Sequence, residues 1–501
     1  MDTLSALMQG FGQMMGVEPL LAIAAGVICG ILVGAMPGLS PSMGVALLVP
    51  FTYRMPALTA MVLLLAIYQA ANYGGSVTAV TINTPGTPSS VATAFDGYAL
   101  TQQGKAGWGL GIALVSSTVG GLVGILVLIL FAKPLAGIAV KMHPAEYFAL
   151  ALLGLATVAS LGGKNWAKAF AAAMIGLLLN TIGLDPISGV KRYTFHQTNL
   201  FDGFNFIPAL IGLFALSEVF TRLEDDGIPK TMVKGTISKK ELWPSFKDYW
   251  KLKWVMLQSS VLGTLIGIFP GAGAAIASFL AYDLAKRTSK HPETFGKGNP
   301  EGVAAAEAAD NASVGGAMVP LLTLGIPGSA STAVLIGALM MHDLVPGPML
   351  FSTNPELVYG LFASMFVATA VMFAFGALGM RLWIKVTLIP PAILLPMILA
   401  VTVIGSYAVN NSMFDVGVAI GFGLLGWQLK RFGFEPAPIV LGLVLGKLAE
   451  VNFRRAVMMG GYSVFAVRPV SLILLLISLA SFGLPLWQAH KDKVKNATMK
   501  I

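Results

Sequence analysis

The sequence predicts an all-α polytopic membrane protein with about ten to twelve transmembrane helices plus re-entrant hairpins, arranged as two inverted-topology repeats. Of its 501 residues, 56% are hydrophobic and 11% are charged, and the mean hydropathy is +0.78. Soluble chains carry about 25% charged residues, so this chain has too few to cover a water-facing surface of its size. Its apolar runs are continuous, unlike the alternating pattern of a β-barrel.

The repeat is predicted from Pro-Gly interruptions that occur twice in each half. The first interruption of each half begins at Pro37 and at Pro270, an offset of 233 residues (270 − 37). The second begins at Pro85 and at Pro327. Transporters break their helices at corresponding places in two repeats where they handle a solute, so the pattern favours a transporter.

In the first half, the apolar runs 17–35 and 43–53 flank the first interruption and are predicted to form a re-entrant hairpin, because the second run is too short to span a bilayer. Longer spans follow at 58–80, 108–131, 145–161, 166–183 and 204–220. Lys and Arg collect on cytoplasmic segments. We therefore assign residues 1–222 to the first membrane repeat, 223–253 to a basic cytoplasmic linker, 254–488 to the second repeat and 489–501 to a basic cytoplasmic tail.

The second half opens with another predicted hairpin at 254–282. Basic residues flank it on both sides, so both of its ends are predicted to face the cytoplasm, whereas the weakly charged flanks of the first hairpin fit the opposite face. Hairpins that enter from opposite faces imply an inverted repeat. Two full crossings in place of either hairpin are the alternative. Later spans are predicted at 303–324, 331–341, 357–380, 382–407, 414–429, 438–448 and 470–486.

Composition and motifs disfavour several other classes of protein. The net charge is +9, but no basic stripe is interleaved with aromatic residues, so nucleic-acid binding is not expected. The single cysteine, Cys29, excludes a disulfide framework and reads as a small apolar residue. No cleaved signal is expected, because residues 1–16 lack a basic stretch before an apolar core. No cofactor is expected, and no H-E-x-x-H or G-x-S-x-G motif indicates an enzyme.

The interruptions are the predicted substrate site. A broken helix exposes N–H groups at the start of one half-helix, which attract anions, and C=O groups at the end of the other, which attract cations. In hydrocarbon such backbone survives only inside protein or beside a water-filled cavity. This site suits a carboxylate with a companion cation and needs no buried lysine or arginine. The predicted substrate-binding residues are Ser40, Ser42, Asn83, Thr84, Pro85, Gly86, Thr87, Gly271, Gly273, Pro327, Gly328, Ser329, Ser331 and Thr332.

A coupling cation, Na⁺ or H⁺, is predicted beside the interruptions. Acids inside a membrane are costly and usually functional, and Glu307 and Asp310 share one face of a predicted helix. The alternative is that these acids cap a helix at the membrane surface, and that the Pro-Gly pairs only kink helices while the glycines only pack them. The predicted cation-binding residues, with Na⁺ as the metal, are Pro37, Gly38, Asn72, Glu307, Asp310, Asn311 and Gly325.

At these residues the sequence resembles the large membrane subunit of the tripartite tricarboxylate transporter family, the TctA type. The resemblance covers nearly the whole chain, although Asp310 stands where the family usually has asparagine, and an acid there would favour protons. The motifs that carry it are Gly34-Ala-Met-Pro37-Gly38-Leu, Tyr73-Gly74-Gly75, Asn83-Thr84-Pro85-Gly86-Thr87, Asp96-Gly97-Tyr98, Pro270-Gly271-Ala-Gly273, Gly325-Ile-Pro327-Gly328-Ser329 and Pro346-Gly347-Pro348.

The resemblance implies a multi-pass permease of the bacterial inner membrane that works with a small membrane subunit and a periplasmic solute-binding protein. It implies uptake of tri- or dicarboxylates by symport with a cation, through alternating access and an elevator-type movement, and it is compatible with a homodimer. The alternative function is an anion channel or pore built from half-helices. Neither the substrate nor the choice between Na⁺ and H⁺ follows from the residues.

Overall fold

The computed structural model describes residues 3–36, 38–161, 166–224, 244–269, 273–386 and 391–481. Pro37, Gly271, most of the predicted linker and the whole predicted tail lie outside these described residues. Within them the protein is mostly α-helical. Seven helices are long and apolar enough to cross a membrane, and five more apolar helices are shorter. The predicted class, an all-α polytopic membrane protein, is confirmed.

The first half begins with a helix that the sequence did not predict and continues with the expected spans. Its helices are α1 (Thr3–Met14), α2 (Val17–Gly34), α3 (Pro41–Leu48), α4 (Ala57–Ile82), α5 (Val91–Gln102), α6 (Ala106–Ala139), α7 (Pro144–Leu161), α8 (Trp166–Asn180), α9 (Phe206–Ile211) and α10 (Ser217–Glu224). A 3₁₀ turn, Pro88–Ser90, leads into α5, and a π-helical segment, Gly212–Leu216, joins α9 to α10. Between α8 and α9, strand β1 (Gly183–Leu184) pairs with β2 (Lys191–Arg192).

The second half contains the remaining eleven helices of the described residues. Its helices are α11 (Phe246–Ile268), α12 (Gly273–Thr288), α13 (Pro300–Leu324), α14 (Ala330–Met341), α15 (Leu350–Thr353), α16 (Pro355–Val386), α17 (Pro391–Asn410), α18 (Met413–Arg431), α19 (Pro436–Gly460), α20 (Val464–Val467) and α21 (Pro469–Ser481).

Helix α11 starts at Phe246, inside the segment predicted as linker, and not at residue 254. The hydroxyl and backbone N–H of Ser245 bond to the Asp248 carboxylate, which caps the helix early. The Lys253 ammonium lies 3.7 Å from the centre of the Trp250 ring, so a charged residue is accommodated in the first turns of the helix. Hydropathy alone places the start of such a helix too late, because the low hydropathy of lysine assigns its first turns to a loop.

The two halves pack their first helix pair in the same register. A Cβ atom placed on Gly34 of α2 would lie 2.0 Å from the carbonyl oxygen of Ala71 on α4. A Cβ atom placed on Gly267 of α11 would lie 2.4 Å from the carbonyl oxygen of Ser313 on α13. The helix backbones therefore touch, and only glycine fits at these contacts. The repeat seen in the sequence is thus present in the packing, while its inverted orientation in the membrane stays a prediction.

The buried Asp96 carboxylate joins α5 to the second half of the chain. Its Oδ1 accepts hydrogen bonds from the backbone N–H groups of Gly296, Gly298 and Asn299 at 2.7–2.8 Å, and its Oδ2 accepts one from the Tyr282 hydroxyl at 2.8 Å. Both glycines have left-handed backbone (φ +81° and +99°), which lets the three N–H groups converge on one oxygen. One side chain therefore holds α5, α12 and the turn before α13 together.

We expect Asp96→Ala to lower the free energy of unfolding by about 3 kcal/mol, because one buried and three part-buried donors lose their acceptor. Denaturant unfolding of the detergent-purified protein, followed by circular dichroism, measures the change. Asp202→Ala, which removes an exposed carboxylate, is the control and should stay within about 0.5 kcal/mol of the original chain. Equal stability of the two variants would contradict the role assigned to Asp96.

Candidate functional site

Segments of all four interruptions line one cavity of about 850 Å³. The first half contributes residues 38–43 and 85–89 to its wall, and the second half contributes 273–276 and 329–331. Sites for small molecules usually have volumes of about 300–1,000 Å³, so this cavity is large enough for a small organic solute. Segments that lie more than two hundred residues apart in the sequence thus form one candidate site.

Each of these four segments contains the start of a helix. Helix α3 begins at Pro41, the turn leading into α5 at Pro88, α12 at Gly273 and α14 at Ala330. A further helix, α19, begins at Pro436, which also lines the cavity. The first N–H groups of a helix have no partner within it, and each N-terminus carries a partial charge of about +0.5. The wall of the cavity is therefore rich in backbone donors and partial positive charge.

The second interruption has the same cap in both halves. The backbone N–H of Thr87 donates to the Ser90 hydroxyl at 3.2 Å, and the backbone N–H of Ser329 donates to the Thr332 hydroxyl at 2.7 Å. In each half the side chain of the first residue also accepts a hydrogen bond from the backbone N–H of the second residue, which completes a capping box. The caps satisfy the third N–H of each helix, and the residues before it, Pro88 and Ser89 in one half and Ala330 and Ser331 in the other, line the cavity.

The glycines beside these two caps, Gly86 and Gly328, lie against the first helix of the predicted hairpin of their own half, α2 and α11 respectively. A Cβ atom on Gly86 would lie 1.9 Å from the carbonyl oxygen of Gly34, and one on Gly328 would lie 2.8 Å from that of Gly267. Equivalent glycines thus contact equivalent carbonyl groups in the two halves. The position of each cap depends on the absence of a side chain at both partners.

The structure separates the predicted substrate residues into two groups. Asn83 lies at the exposed end of α4, where its left-handed backbone (φ +55°) turns the chain toward the cap. Gly271 lies outside the described residues. The predicted residues that line the cavity are Ser40, Ser42, Pro85, Gly86, Thr87, Gly273, Ser329 and Ser331; Asn83, Thr84, Pro327, Gly328 and Thr332 are not among the lining residues.

Glu307 is fully buried at the contact of α13 with its neighbours. It accepts a hydrogen bond from the Ser117 hydroxyl at 2.8 Å and another from the Thr93 hydroxyl. These donors come from α6 and α5, so the acid is held inside the helix bundle. The alternative that it caps a helix at the membrane surface does not agree with this burial.

Asp310, one helical turn further along α13, is also buried, at 1% exposure. Within the described part of the chain, neither its two carboxylate oxygens nor the amide atoms of Asn311 have a hydrogen-bond partner, and the same holds for the amide nitrogen of Asn72. Asp310 lies within electrostatic reach of Tyr68 and close to the Ser89 hydroxyl. Asn72, Tyr68 and Ser89 all line the cavity, so this cluster of unpaired polar atoms lies beside the cavity wall.

The other predicted cation residues are spread along the interruptions. Gly38 lines the cavity with left-handed backbone (φ +85°). Gly325 ends α13, also with left-handed backbone (φ +70°). Pro37 lies outside the described residues. Among the described residues, no group of three or more His, Cys, Asp or Glu side chains is placed to hold a metal ion.

Sequence reasoning missed the charged side chains on the cavity wall. Lys168, Lys430 and Glu218 line it, so the site contains partly buried lysines in addition to the backbone groups and hydroxyls that the sequence predicts. The Glu218 carboxylate pairs with Lys430 at 2.9 Å and with Arg222 at 2.9 Å. The signal in the sequence was Glu218 itself, since an acid at the end of an otherwise apolar span is uncommon.

Comparison with known proteins identifies the family. The family described as the tripartite tricarboxylate transporter TctA family matches residues 20–441 of the chain. The chain belongs to the TctA family. TctA proteins are transporter components and not enzymes, and membership implies a tripartite system with a small membrane subunit and a periplasmic binding protein.

Two relatives of this TctA protein come from Agrobacterium vitis. One, described as an uncharacterized 52.8 kDa protein in the TAR-I ttuC' 3' region, is 39% identical over 499 residues, which covers 99% of each chain. The other, an uncharacterized protein in the TAR-II ttuC' 3' region, is 40% identical over 233 residues, which covers 46% of this chain and 96% of the relative. No solved structure matches this TctA protein.

Proposed function

We propose that this TctA protein is the permease subunit of a secondary transporter that takes up tri- or dicarboxylates by alternating access, driven by a Na⁺ or H⁺ gradient. The observation that supports this proposal is that helix N-termini from both halves meet at one cavity. Helix N-termini bind anions because their free N–H groups point at the ligand and the helix dipole favours negative charge. Several such termini around one cavity suit a solute that carries a carboxylate.

The donors that we propose for the carboxylates are backbone N–H groups supported by hydroxyls. In α14 the Ser329 side chain caps the third N–H, and the N–H groups of Ala330 and Ser331, two residues that line the cavity, would bind the anion. In the first half Pro88 has no N–H, so Ser89 supplies the corresponding donor. The Tyr68 hydroxyl lies 3.0 Å from that of Ser329 and holds the tip of the second half against α4.

For the coupling cation we propose the cluster of Asn72, Glu307, Asp310 and Asn311. A buried carboxylate with no partner is costly, and a bound Na⁺ or a proton removes that cost. The cluster borders the substrate cavity through Asn72, so the cation and the anion would attract each other across a short, poorly screened distance. This attraction would couple their binding, as symport requires.

We propose that the cavity opens toward the cytoplasm in this structure. The end of the cavity that Lys168 and Lys430 line includes the exposed turn between α18 and α19, where Gly433 and Glu435 lie. Arg431, next to this turn, pairs with Glu224 at 3.1 Å, and the predicted cytoplasmic linker begins at this point. In alternating access the same site would then open to the periplasm, where the binding protein delivers substrate. This orientation corresponds to a permease of the bacterial inner membrane.

Gly86→Ala and Gly328→Ala test the substrate site. Each added Cβ atom would collide with neighbouring backbone and displace a cap, so we expect uptake of radiolabelled citrate or succinate to fall at least about tenfold in cells carrying all three subunits. Gly12→Ala, where an added Cβ atom meets nothing within 4 Å, is the matched control and should transport normally. Normal uptake by both Gly86→Ala and Gly328→Ala, with equal amounts of protein in the membrane, would exclude the caps from the site. Uptake that does not saturate would favour a channel.

Asp310→Asn tests the cation site. We expect Na⁺, compared with choline, or a change of pH to shift the thermal unfolding midpoint of the purified chain, because a cation at 100 times its Kd stabilises a protein by about 2.7 kcal/mol. Asp310→Asn should abolish that dependence, while Asp343→Asn, which changes an exposed acid, should preserve it. A wild-type midpoint that responds to neither Na⁺ nor pH would contradict a cation site here.

Single cysteines test the orientation. The only native cysteine is Cys29, so Cys29→Ser supplies the background. We expect a membrane-impermeant maleimide to label Ala437→Cys on the cavity wall only from the cytoplasmic side, and His196→Cys, in the exposed loop beyond the far end of α8, only from the periplasmic side. Labelling with the opposite sidedness would overturn the proposed orientation.

A further inference from the structure

We propose that Lys168 and Lys430 form a second anion subsite in the cavity, which binds a further carboxylate of the substrate and selects polyanions over monocarboxylates. This inference rests on the proposed function, since it names what the charged end of the same cavity contributes. The helix starts of the two halves would hold one carboxylate. The two lysines line the same wall from a different set of helices, α8 and α18.

Lys168 is held in place by the turn between α18 and α19. Its ammonium donates a hydrogen bond to the backbone carbonyl oxygen of Phe432 at 2.7 Å and lies 6.0 Å from the centre of the Phe434 ring. An ammonium has three N–H donors, so this bond leaves capacity for an anion in the cavity. The side chain is only partly exposed although it carries a full charge. Contacts with the protein therefore fix the position of the Lys168 ammonium.

Lys430 is the second cation, and it pairs with Glu218 on α10. The Lys430 ammonium donates to Glu218 Oε2 at 2.9 Å, while Arg222 occupies Oε1 at 2.9 Å. Lys430 therefore shares its carboxylate partner with Arg222. The Lys430 side chain is 23% exposed and Glu218 18%, so solvent screens the charge of this lysine only in part.

Four charged side chains line this end of the cavity. Lys430 is paired with Glu218, and Glu435 is exposed at the rim and precedes the start of α19. Among the described residues no carboxylate forms an ion pair with Lys168, whose ammonium bonds a carbonyl oxygen instead, and the N-terminus of α19 adds a partial positive charge. The helix starts elsewhere in the cavity are backbone groups without a full charge. A second or third carboxylate on one solute would therefore find its counter-charge at the lysines.

Binding of citrate, succinate and acetate to the purified full-length chain tests this subsite. The dissociation constants are measured by calorimetry at pH 8, where the three probes carry three, two and one negative charges. We expect Lys430→Gln and Lys168→Gln each to raise the Kd of citrate at least tenfold, to raise that of succinate less, and to leave acetate within twofold. Lys430→Arg should retain most of the affinity for citrate. Lys105→Gln, at an exposed lysine that does not line the cavity, should bind all three probes as the original chain does.

Glu218→Gln separates anion binding from a purely structural ion pair. If the lysine binds substrate, removing its competing carboxylate should leave the Kd of citrate unchanged or lower it. Equal weakening of all three probes in both Lys430→Gln and Glu218→Gln would overturn the proposal, as would unchanged citrate affinity in both lysine-to-glutamine variants or no citrate binding by the original chain. If, in those cases, the original chain still binds succinate and loses that binding on Gly86→Ala, the result keeps the proposed function and rejects only the lysine subsite.

Discussion

A helix that is interrupted inside a membrane leaves peptide N–H and C=O groups that need partners, and the rest of this structure depends on how they are satisfied. Hydrocarbon offers no hydrogen bonds, so the interruptions must lie against protein or against a cavity. Here capping boxes at Thr87 and Ser329 satisfy part of each interrupted helix. The residues that carry the remaining N–H groups line one cavity, to which both halves contribute. A structural requirement of the backbone and a capacity to bind anions thus have the same origin.

Glycine contacts hold these interrupted helices in place. Gly34 and Gly267 bring the first helix of each pair against the backbone of the second, and their own carbonyl groups then receive Gly86 and Gly328. The contacts involve backbone atoms on both sides, so they tolerate no side chain and allow little relaxation. In the Tyr73-Gly74-Gly75 motif, Gly74 likewise lies against α2. Close backbone packing therefore accounts for the glycines at these positions.

Charged groups occupy two separate regions around the cavity. The acids Glu307 and Asp310 lie in the helix bundle behind one wall, and Lys168 and Lys430 lie at the end near the predicted linker. Charges in a medium of low dielectric constant interact over longer distances than in water, so both regions would act on an anion bound between them. A cation at the acids and the lysines at the other end would both favour a solute with several negative charges. The arrangement is consistent with a carboxylate transporter in which anion and cation sites are close but distinct.

Composition, hydropathy and the spacing of the Pro-Gly pairs determined the fold class, the two-fold repeat and the positions at which helices are interrupted, because these properties follow from local preferences of the chain. They did not determine the start of α11, which depends on a cap and on a lysine packed on a tryptophan ring. They also did not show that Asp96 joins the two halves, or that Lys168 and Lys430 share a wall with Ser329. Only the tertiary structure decides such contacts, because they join side chains whose separation in the sequence carries no period or pattern.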